Sequence, residues 1–525
     1  MANRSPSITL ALMVALASMV VAPTRTAAQP NMHPGPASRF MPLEHVVFPR
    51  DPSESRALAQ KMRAEGFLVL SRAPMSGMII AAVPLEGMEE IMCQYVKGRP
   101  EVMTAERNVR GEMLGRQPVP NCAYVNPVAT PCNAGDPGLP YPDLQLSGPV
   151  PAPAPGHPND PAFFLQWGLK NTGQALMDRS QTTTTPGFSG IYWPMPAVPG
   201  IDINALPAWN FTTGSPLITV AVLDSGTEYC NPDFDPARFL YPDMALTCIG
   251  NELPISYPCC TASSSEESCI FGPARDNVGH GTIVASIIAG TVNNNVGIAG
   301  IDQQCRILSA RVFGANHTHQ NNFTTANAAR LVTALEFIAT LPAYSSVRVI
   351  NMSVWLPLVE LDGTAQLSAF NSVLATLRAQ NRFVVTGSGN GGVGTADTGM
   401  PAASPHVVTV GAMDATGRRV VVPPSGVYSS STGLSLDFMA PGMAEMTLIC
   451  QSNPCPAPEC AYPTFECFVQ YHSNFLWGTS FAAPKVAAAI SLILAEAIEI
   501  GVLNPQHVAG LDMAAGVRPA QSRSP

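Results

Sequence analysis

Charged residues are scarce in this sequence, and they form no long run of one sign. The 525 residues include 28 Lys and Arg against 37 Asp and Glu, so charged residues make up 12% and the net charge is −9. A surface that binds nucleic acid or an anionic membrane needs clustered positive charge, so the composition argues against both partners. Hydrophobic residues make up 46%, which favours a large buried core over disorder.

Segments of membrane-spanning length are also lacking: we expect none beyond the first thirty residues. The N-terminus has a positive residue at Arg4, an apolar run over Ile8–Ala22 and small residues at 26–28. This pattern predicts a secretory signal peptide over residues 1–28, cleaved after Ala28. A membrane anchor is the alternative, but the run is short for a span. We therefore expect a secreted protein with no membrane span in its mature form.

The thirteen cysteines include no Cys-x-x-Cys pair, so a zinc site built on cysteines is a weak alternative. Cys93 lies early, Cys122 and Cys132 lie in a proline-rich stretch, and the other ten run from Cys230 to Cys467. Because ten is an even number, the sequence predicts up to five disulfide bonds, with all ten of these cysteines oxidised in an oxidising compartment. The spacing leaves their connectivity open.

Residues 41–115 predict a small α+β domain. SESRALAQKMRAEG and LEGMEEIMCQYVKG have the pattern of helices, whereas FLVLSRA, GMIIAAVP and EVMTAERNV have the pattern of strands. Residues 116–158, which follow, are dense in Pro, Gly and Asn and predict an exposed linker.

Short, nearly continuous β-branched runs alternate with helical patterns through the rest of the chain. The runs are LITVAVLDSG, CRILSARVFG, VRVINMSVW, NRFVVTGSG and PHVVTVGAMD, and helical patterns such as TANAARLVTALEFIATL separate several of them. Such runs predict strands buried on both faces, and the alternation predicts an α/β fold with a parallel sheet flanked by helices. In such sheets the reactive groups gather at the carboxyl ends of the strands.

Three polar residues stand beside glycines at strand ends or helix starts of this predicted sheet. Asp224 ends ITVAVLD, His280 opens a small-residue helix in GHGTIVASIIAG, and Ser480 opens the apolar helix GTSFAAPKVAAAISLIL. Taken singly, a turn aspartate, a capping histidine and an N-cap serine are the more common interpretations. Taken together, they are the carboxylate, imidazole base and hydroxyl nucleophile that acyl transfer requires.

The same segments resemble the active-site signatures of the subtilisin-like serine proteases, or subtilases. VAVLDSGTEYCNPDF, GHGTIVASIIAG and GTSFAAP occur in that family's order of Asp, His and Ser. The resemblance begins at NDPAFFLQWGLKNTGQ and implies a peptidase domain over 159–525 that hydrolyses protein or peptide substrates. It implies that Ser480 is the nucleophile, His280 the general base and Asp224 its orienting partner, with no cofactor needed for catalysis.

Another segment resembles the part of the family that holds the developing oxyanion. VVTGSGNGG matches this segment, which implies that Asn390 donates its side-chain amide and that Ser388 and Gly389 bind substrate.

The resemblance also implies a substrate-binding strand and a specificity pocket. VINMSVW resembles the strand that pairs with the substrate backbone, here through Ser353, Val354 and Trp355. The family has glycine where Trp355 stands, so the ring would narrow or cover the cleft. Gly399 matches the glycine at the floor of the primary specificity pocket, where an open floor would admit a large side chain.

A structural calcium ion is a further implication of the resemblance. TVNNNVGIAG resembles the family's calcium loop, with Asn294 as the amide ligand and Asp233 and Asp160 as the carboxylate ligands. Calcium accepts such mixed sets of oxygen atoms. An ordinary polar turn is the alternative, and the sequence favours neither.

Residues 41–115 resemble the family's inhibitory propeptide, a small ferredoxin-like domain whose C-terminal end blocks the cleft. The resemblance implies a zymogen that processes itself and is inhibited by its own propeptide. One alternative is a catalytically inactive subtilase-fold binding or decoy protein, which Trp355 and a short C-terminal tail would favour. Another is a lipase-like hydrolase, but that would require a Gly-x-Ser-x-Gly elbow, which the segment GTSFA around Ser480 does not provide.

Overall fold

A computed structural model of the chain gives the fold. The predicted signal peptide at 1–28 and most of the predicted linker at 116–158 lie outside the residues that it describes. The described residues are 40–65, 67–82, 93–94, 96–113, 154–174, 197–227, 231, 233–240, 244–245, 274, 276, 279–315, 324–422, 428–443, 448–454, 463–469 and 478–504.

The first described residues form an antiparallel sheet of four strands with a helix packed on one face. Leu58 and Met62 of the helix share an apolar cluster with Val47 and Ile79 of the sheet. The strands lie in the order β4-β1-β3-β2. In chain order the elements are β1 (Phe40–Pro49), α1 (Ser55–Ala64), β2 (Leu68–Arg72), β3 (Ile79–Ala82) and β4 (Val102–Met113).

The remaining strands and helices belong to the larger part of the chain. The strands are β5 (Thr219–Asp224), β6 (Met244–Ala245), β7 (Arg306–Arg311), β8 (Gly314–Ala315), β9 (Thr324–Asn327), β10 (Val347–Met352), β11 (Val354–Pro357), β12 (Phe383–Gly387), β13 (Gly399–Met400), β14 (Val408–Met413), β15 (Val421–Val422), β16 (Tyr428–Ser429), β17 (Phe438–Pro441), β18 (Leu448–Pro454) and β19 (Pro463–Val469). The helices are α2 (Ala205–Ala208), α3 (His280–Ala289), α4 (Ala328–Thr340), α5 (Leu358–Leu361), α6 (Ala365–Ala379) and α7 (Thr479–Glu499).

A parallel sheet of seven strands, in the order β17-β14-β12-β10-β5-β7-β6, forms the centre of this larger part. Its central strands β5 and β10 are buried along their whole length, because helices cover both faces of the sheet. Val220 and Val222 of β5 join the apolar cluster that contains α3 and α7, whereas Ala221 and Leu223 join the cluster that contains α4 and α6. This alternation follows the two-residue period of a strand. The predicted α/β fold with a parallel sheet flanked by helices is confirmed.

Helix α7 corrects the expectation that no later segment has membrane-spanning length and composition. Among the described residues, it is the one helix long and apolar enough to cross a bilayer. However, Ala483, Ala487 and Ala488 of α7 are fully buried in the cluster that also contains Val385 of β12 and Val410 of β14. These small side chains allow the helix to pack closely on the sheet, which is the place of a core helix.

Strand β4 extends beyond its own sheet and enters the larger part of the chain. Its last residues pair antiparallel with β9 on one side, where Gly111 lies opposite Ala326. On the other side they pair antiparallel with β11, where Met113 lies opposite Val354. Glu112 is paired on both sides, so the end of β4 forms the middle strand of three.

The four-stranded sheet and helix α1 form the N-terminal module. Its polar side chains also hydrogen-bond to the starts of two helices in the larger part. Glu106 accepts a hydrogen bond from the backbone N–H of Gln366 in the first turn of α6, at 3.0 Å. Asn108 accepts one from the N–H of Ala329 in the first turn of α4, at 3.4 Å, and donates to Glu44 at 2.9 Å. The first N–H groups of a helix have no partner within the helix, and they attract negative charge. The module therefore satisfies groups that the larger part leaves open.

Cys305 contradicts the prediction that all ten cysteines from Cys230 onward form disulfides. It carries a free thiol that is fully buried, with Sγ 3.6 Å from Nη2 of Arg238. Ten cysteines less Cys305 leave nine, and nine cannot all pair with one another. An even count of cysteines therefore did not reveal which one the core would enclose.

Two other cysteines are well placed for the predicted disulfide framework. In the hairpin of β18 and β19, Cys450 and Cys467 are Cα partners. Directly opposite residues of antiparallel strands have Cα atoms about 4.5–5.5 Å apart, which lies within the range that a disulfide spans. The sequence left the connectivity open, and the register is compatible with a Cys450–Cys467 bond without showing one. Cys230, Cys248, Cys259, Cys260, Cys269, Cys455 and Cys460 lie outside the described residues.

We expect Cys305 to resist alkylation in the native protein and to react once the unreduced protein is denatured. Burial, followed by the nearby charge of Asp302, raises the pKa of the Cys305 thiol, and the thiolate is the reactive form. Iodoacetamide labelling followed by peptide mass spectrometry tests this expectation. A disulfide-linked peptide that contains Cys305 would contradict it.

Candidate active site

The fold brings the three predicted catalytic residues to the carboxyl edge of the parallel sheet. Asp224 is the last residue of β5, His280 is the first residue of α3, and Ser480 is the second residue of α7. All three are 0% exposed. The positions follow from the local sequence, because Gly279 and Gly478 precede the two helices with positive φ angles of 95° and 142°.

Asp224 and His280 form a buried hydrogen bond between Oδ1 and Nδ1, at 2.7 Å. A carboxylate only accepts hydrogen bonds, so Nδ1 is the donor. In a neutral imidazole, Nε2 is then left as the acceptor. The same carboxylate oxygen also accepts the backbone N–H of Ser225, at 2.7 Å. Asp224 thereby fixes the orientation and the tautomer that a general base requires.

Three buried polar atoms of this group have no hydrogen-bond partner among the described residues. They are Nε2 of His280, Oγ of Ser480 and Oδ2 of Asp224. Native proteins leave few buried polar atoms unpaired, so such a group needs an explanation. Catalytic hydrogen bonds are often long or misaligned before substrate binds, which suits a base and a nucleophile waiting for substrate.

Asp276 holds the start of α3 in place, although the sequence analysis did not single it out. Oδ1 accepts hydrogen bonds from Gly279 N and Ser225 Oγ, both at 2.8 Å. Oδ2 accepts from the backbone N and the hydroxyl of Thr282, at 2.9 and 2.6 Å. One buried carboxylate therefore joins the residue after Asp224 to the turn that contains His280. An Asp just before a helix start is a capping signal, and this signal could have identified it.

Asn390 lies beside the start of α7, and its amide is oriented by hydrogen bonds. Its Oδ1 accepts from the backbone N–H of Thr479 at 3.1 Å and from the hydroxyl of Thr479 at 3.3 Å. With the oxygen engaged in this way, Nδ2 is the amide group left to donate to a substrate oxygen. The adjacent Gly389 N also donates to Thr479 Oγ1, at 3.3 Å, which ties the segment to the helix.

The predicted substrate-binding residues lie around the same edge. Ser353 Oγ donates to the backbone carbonyl of Ser480 at 3.1 Å, and Val354 begins β11, which pairs with the end of β4. Ser388 Oγ donates to the carbonyl of Ser431 at 3.0 Å. The indole of Trp355 lies on Gly399, because a Cβ added to this glycine would be 1.6 Å from Trp355 Nε1. The ring of Trp355 therefore covers the backbone of Gly399.

The three residues predicted to bind calcium also lie together, in and around the loop that follows α3. Asp160 Oδ2 accepts from the N–H of Asn293 at 2.9 Å, and Asp233 Oδ2 accepts from the N–H of Ile298 at 3.0 Å. Asn294 donates its Nδ2 to Asp233 Oδ1 at 3.0 Å, while its own Oδ1 accepts from a backbone N–H of the loop at 2.8 Å.

The electrostatics of this loop fit a cation. Asp160 Oδ1 is buried without a hydrogen-bond partner among the described residues. Burial raises the pKa of Asp160. Burial, together with the negative charge of Asp160, raises the pKa of Asp233 to about 7. Two buried carboxylates, one of which destabilises the charge of the other, fit a divalent cation. Asn294 fits less well, because its oxygen faces the loop backbone.

Together, the main site offers what acyl transfer requires. It has a hydroxyl at a helix start, an oriented imidazole, a buried carboxylate and an amide donor fixed beside the hydroxyl. A helix N-terminus adds unpaired N–H groups and a positive dipole end, which stabilise a developing negative charge.

A comparison with known protein families finds one family model whose matched residues include Asp224, His280 and Ser480. A family model described as the subtilase family matches residues 216–514, more than half of the chain.

Curated relatives match the same region at low identity. Subtilisin amylosacchariticus from Bacillus subtilis subsp. amylosacchariticus is 26% identical over 298 residues, which are 56% of this chain and 60% of that protein. An extracellular protease of Xanthomonas campestris pv. campestris is 25% identical over 297 residues, which are 55% of this chain and 46% of that protein. The match thus spans about 60% of the first of these relatives and less of the second.

A solved structure is similar in fold over most of its length. It is the epidermin leader peptide processing serine protease from Staphylococcus aureus, which aligns with a TM-score of 0.50 at 14% identity. The alignment covers 89% of this chain and 91% of that one.

We expect Asp276→Ala to lower the free energy of unfolding by about 3 kcal/mol or more. The substitution removes a charged acceptor and leaves buried donors at the start of α3 without a partner. Asp276→Asn keeps one acceptor oxygen and should lose less. Urea unfolding in a Ser480→Ala background, which prevents self-digestion, measures both.

The exposed Asp362 provides the matched control. Asp362→Ala should change the free energy of unfolding by less than about 0.5 kcal/mol, as is usual for surface positions. Equal unfolding free energies for Asp276→Ala and its parent would show that the network around Asp276 is not needed for the fold.

Proposed function

This chain belongs to the subtilase family, and from that premise we propose that it is a secreted serine endopeptidase made as a self-processing zymogen. The observation that carries the proposal is the 2.7 Å hydrogen bond between Asp224 and His280, beside the unpartnered His280 Nε2 and Ser480 Oγ. An oriented base and a free hydroxyl in one buried site are what nucleophilic attack on a peptide carbonyl requires.

In the proposed reaction, Ser480 Oγ attacks the peptide carbonyl carbon while His280 Nε2 takes the hydroxyl proton. Asp224 keeps the ring oriented and stabilises its positive charge. Asn390 Nδ2 and the backbone N–H of Ser480 donate to the oxyanion. His280 then gives its proton to the departing amine, and an acyl-enzyme forms. Water, deprotonated by His280, attacks the acyl carbon and releases the acid, which restores the hydroxyl of Ser480.

The placement of β4 supports the zymogen part of the proposal. The end of this strand lies between β9 and β11, and β11 begins one residue after Ser353, whose side chain contacts Ser480. An extended chain in this position resembles a bound product and would exclude substrate. The hydrogen bonds of Glu106 and Asn108 to the starts of α6 and α4 strengthen the association. Cleavage is proposed in the span between Arg110 and Asp160.

Secretion is supported by the N-terminal sequence and by one group of relatives. The predicted signal peptide at 1–28 has the pattern that directs export. Among the matched relatives, one is described as an extracellular protease of Xanthomonas campestris and another as an intracellular serine protease of Paenibacillus polymyxa. The proposed localisation therefore depends on the N-terminus more than on the relatives.

A catalytically inactive subtilase-fold binding protein is the second candidate. The observation that favours it is the indole of Trp355, which lies over Gly399 where substrate would place a side chain. The oriented Asp224–His280 pair argues against it, since a binding protein has no use for a buried imidazole with an unpartnered nitrogen.

A structural calcium ion is proposed at Asp160 and Asp233. Bound there, it would supply the positive charge that two buried carboxylates lack, and it would tie the loop after α3 to Asp160 near the start of the peptidase domain. Asn294 could join as a ligand only if its amide oxygen turned away from the loop backbone. The ion would stabilise the fold and would take no part in the reaction.

We expect Ser480→Ala to abolish peptide hydrolysis and labelling by a fluorophosphonate, because only the hydroxyl can attack. This variant should also accumulate as an uncut precursor that keeps residues 41–115 attached. Ser491 provides the matched control, because it is another fully buried serine of α7. Ser491→Ala should label and mature like the wild type. Hydrolysis at the wild-type rate by Ser480→Ala would overturn the assignment of the nucleophile.

Calcium is expected to stabilise the protein more strongly as pH rises. The pKa of Asp233 is raised from 3.8 to about 7, so between about pH 4 and pH 7 the folded state holds a proton that the unfolded state has lost. Without calcium, this group therefore makes stability fall as pH rises through that window. Because calcium binds the ionised form, excess calcium over chelator should raise the Tm of Ser480→Ala by roughly 5 °C or more at pH 8, and by much less at pH 5.

Two controls accompany the calcium measurement. Asp233→Asn should lose the calcium effect at both pH values, and magnesium at equal ionic strength should not replace calcium. An equal shift of Tm at pH 5 and pH 8 would contradict a role for Asp233.

A further inference from the structure

We propose that Trp355 restricts this protease to substrates with glycine, alanine or serine at the residue whose carbonyl carbon is attacked, here called P1. The inference rests on the proposed function and specifies its substrate class. It comes from three features together: the register of β4 on β11, the position of Ser353 beside Ser480, and the contacts of the indole.

The register on β11 shows where the P1 side chain has to go. The described end of β4 lies antiparallel to β11, with Glu112 opposite Trp355 and Met113 opposite Val354. A substrate strand in this register places its next residue opposite Ser353, which contacts the backbone of Ser480. That residue is P1, because its carbonyl would lie beside the nucleophile. In the chain's own sequence Leu114 follows Met113. The proposal therefore requires that β4 inhibits in a register that is not cut, and that self-processing falls after a glycine, alanine or serine elsewhere between Arg110 and Asp160.

The P1 side chain and the indole share one side of the strand pair. Directly opposite residues of an antiparallel pair project their side chains to the same face, and residues two apart on one strand also share a face. Ser353 and Trp355 are two apart. The P1 side chain, opposite Ser353, therefore projects to the face that Trp355 also occupies.

The indole fills the space on that face. A Cβ added at Gly399 would lie 1.6 Å from Nε1 and 2.2 Å from Cδ1 of Trp355, so the ring rests directly on the glycine backbone. A Cβ added at Gly389 would lie 3.4 Å from Cδ1, so this glycine is in contact with the ring from the Asn390 side. Strand β13 keeps the floor in place, because Gly399 pairs with Pro357 and Met400 with Leu356. Between these walls, a P1 side chain larger than one or two heavy atoms has to displace the ring.

Trp355 also separates the proposed P1 position from a neighbouring pocket. Trp355 also lines an open pocket together with Leu358, Thr398, Met400 and Ala403. Replacing the indole with hydrogen would extend the P1 space towards this mostly apolar pocket. A glycine at position 355 should therefore permit large apolar P1 residues, and no other position needs to change.

The experiment compares fluorogenic peptides that differ only in P1, as Gly, Ala, Ser, Leu or Phe. For the mature wild type, kcat/KM should be at least about 100-fold higher with Ala than with Phe, the upper range for rejecting a side chain by size in a pocket. Trp355→Gly should raise kcat/KM for Phe and Leu by at least about 100-fold. Trp355→Phe, which keeps a ring in place, should retain most of the wild-type preference.

Trp209 offers the matched control. Its indole donates from Nε1 to the carbonyl of Ile301 at 2.8 Å, remote in sequence from the residues around Ser480. Trp209→Phe should leave the P1 preference unchanged, which separates the specific effect from a general effect of losing a tryptophan.

Several outcomes would overturn the proposal. One is a wild-type kcat/KM for Phe within threefold of that for Ala, and this result needs no variant to fold. Another is a P1 preference that Trp355→Gly leaves unchanged. A third is a wild type that cleaves no P1 residue while Trp355→Gly does, since the ring would then block the site entirely. If Ser480 reacts with no fluorophosphonate and no peptide is cleaved, the proposed protease function itself fails.

Discussion

The buried carboxylate of Asp224 is the constraint on which the arrangement of the site depends. An ionised carboxylate with no exposure costs several kcal/mol unless donors surround it. The donors are the backbone N–H of Ser225 and the imidazole of His280, and Ser225 is in turn held by Asp276. Asp276 also accepts from the first turn of α3, so the donors to Oδ1 of Asp224 fix the strand end, the turn after it and the helix start. Gly281 allows this close approach, since a Cβ there would lie 2.1 Å from the carbonyl oxygen of Gly226.

The N-terminal module and the larger part of the chain complete each other. Val46, Phe48 and Ile80 of the module belong to the same apolar cluster as Leu331 and Phe370 of α4 and α6. Polar contacts also join the two parts. Glu44 of the module forms an ion pair with Arg330 of α4. Glu336 of α4 accepts hydrogen bonds from the backbone N–H groups of Met75 and Ser76. The two parts therefore share an interface that is both apolar and hydrogen-bonded. Separating them would expose apolar surface and would leave the N–H groups at the helix starts without partners.

Sequence reasoning succeeded where the signal is local. The buried strand ending at Asp224, the helix beginning at His280 and the alanine-rich helix beginning at Thr479 each follow from one short continuous segment of the sequence. It failed where contacts between distant segments determine the length of a strand or the burial of a side chain. The predicted last strand of the module ended at Val109, but pairing with residues more than 200 positions later extends β4 to Met113. The even cysteine count did not anticipate a buried thiol at Cys305, because which cysteine the core encloses is a tertiary property.

The position that the end of β4 occupies between β9 and β11 is one strand wide, and in the proposed protease this width would select the conformation of a substrate as well as its sequence. A chain that takes the place of β4 must offer free N–H and C=O groups on both of its edges. A strand of a folded sheet has at least one edge already paired, and a helix has none to offer, so neither can enter. Only a segment that has opened locally fits, and such openings have free energies that range from near zero in loops to the full stability of a domain. The cleavage rate of a folded protein would then follow the population of its locally opened segments. Proteins with low local stability would therefore be cleaved faster than stable ones.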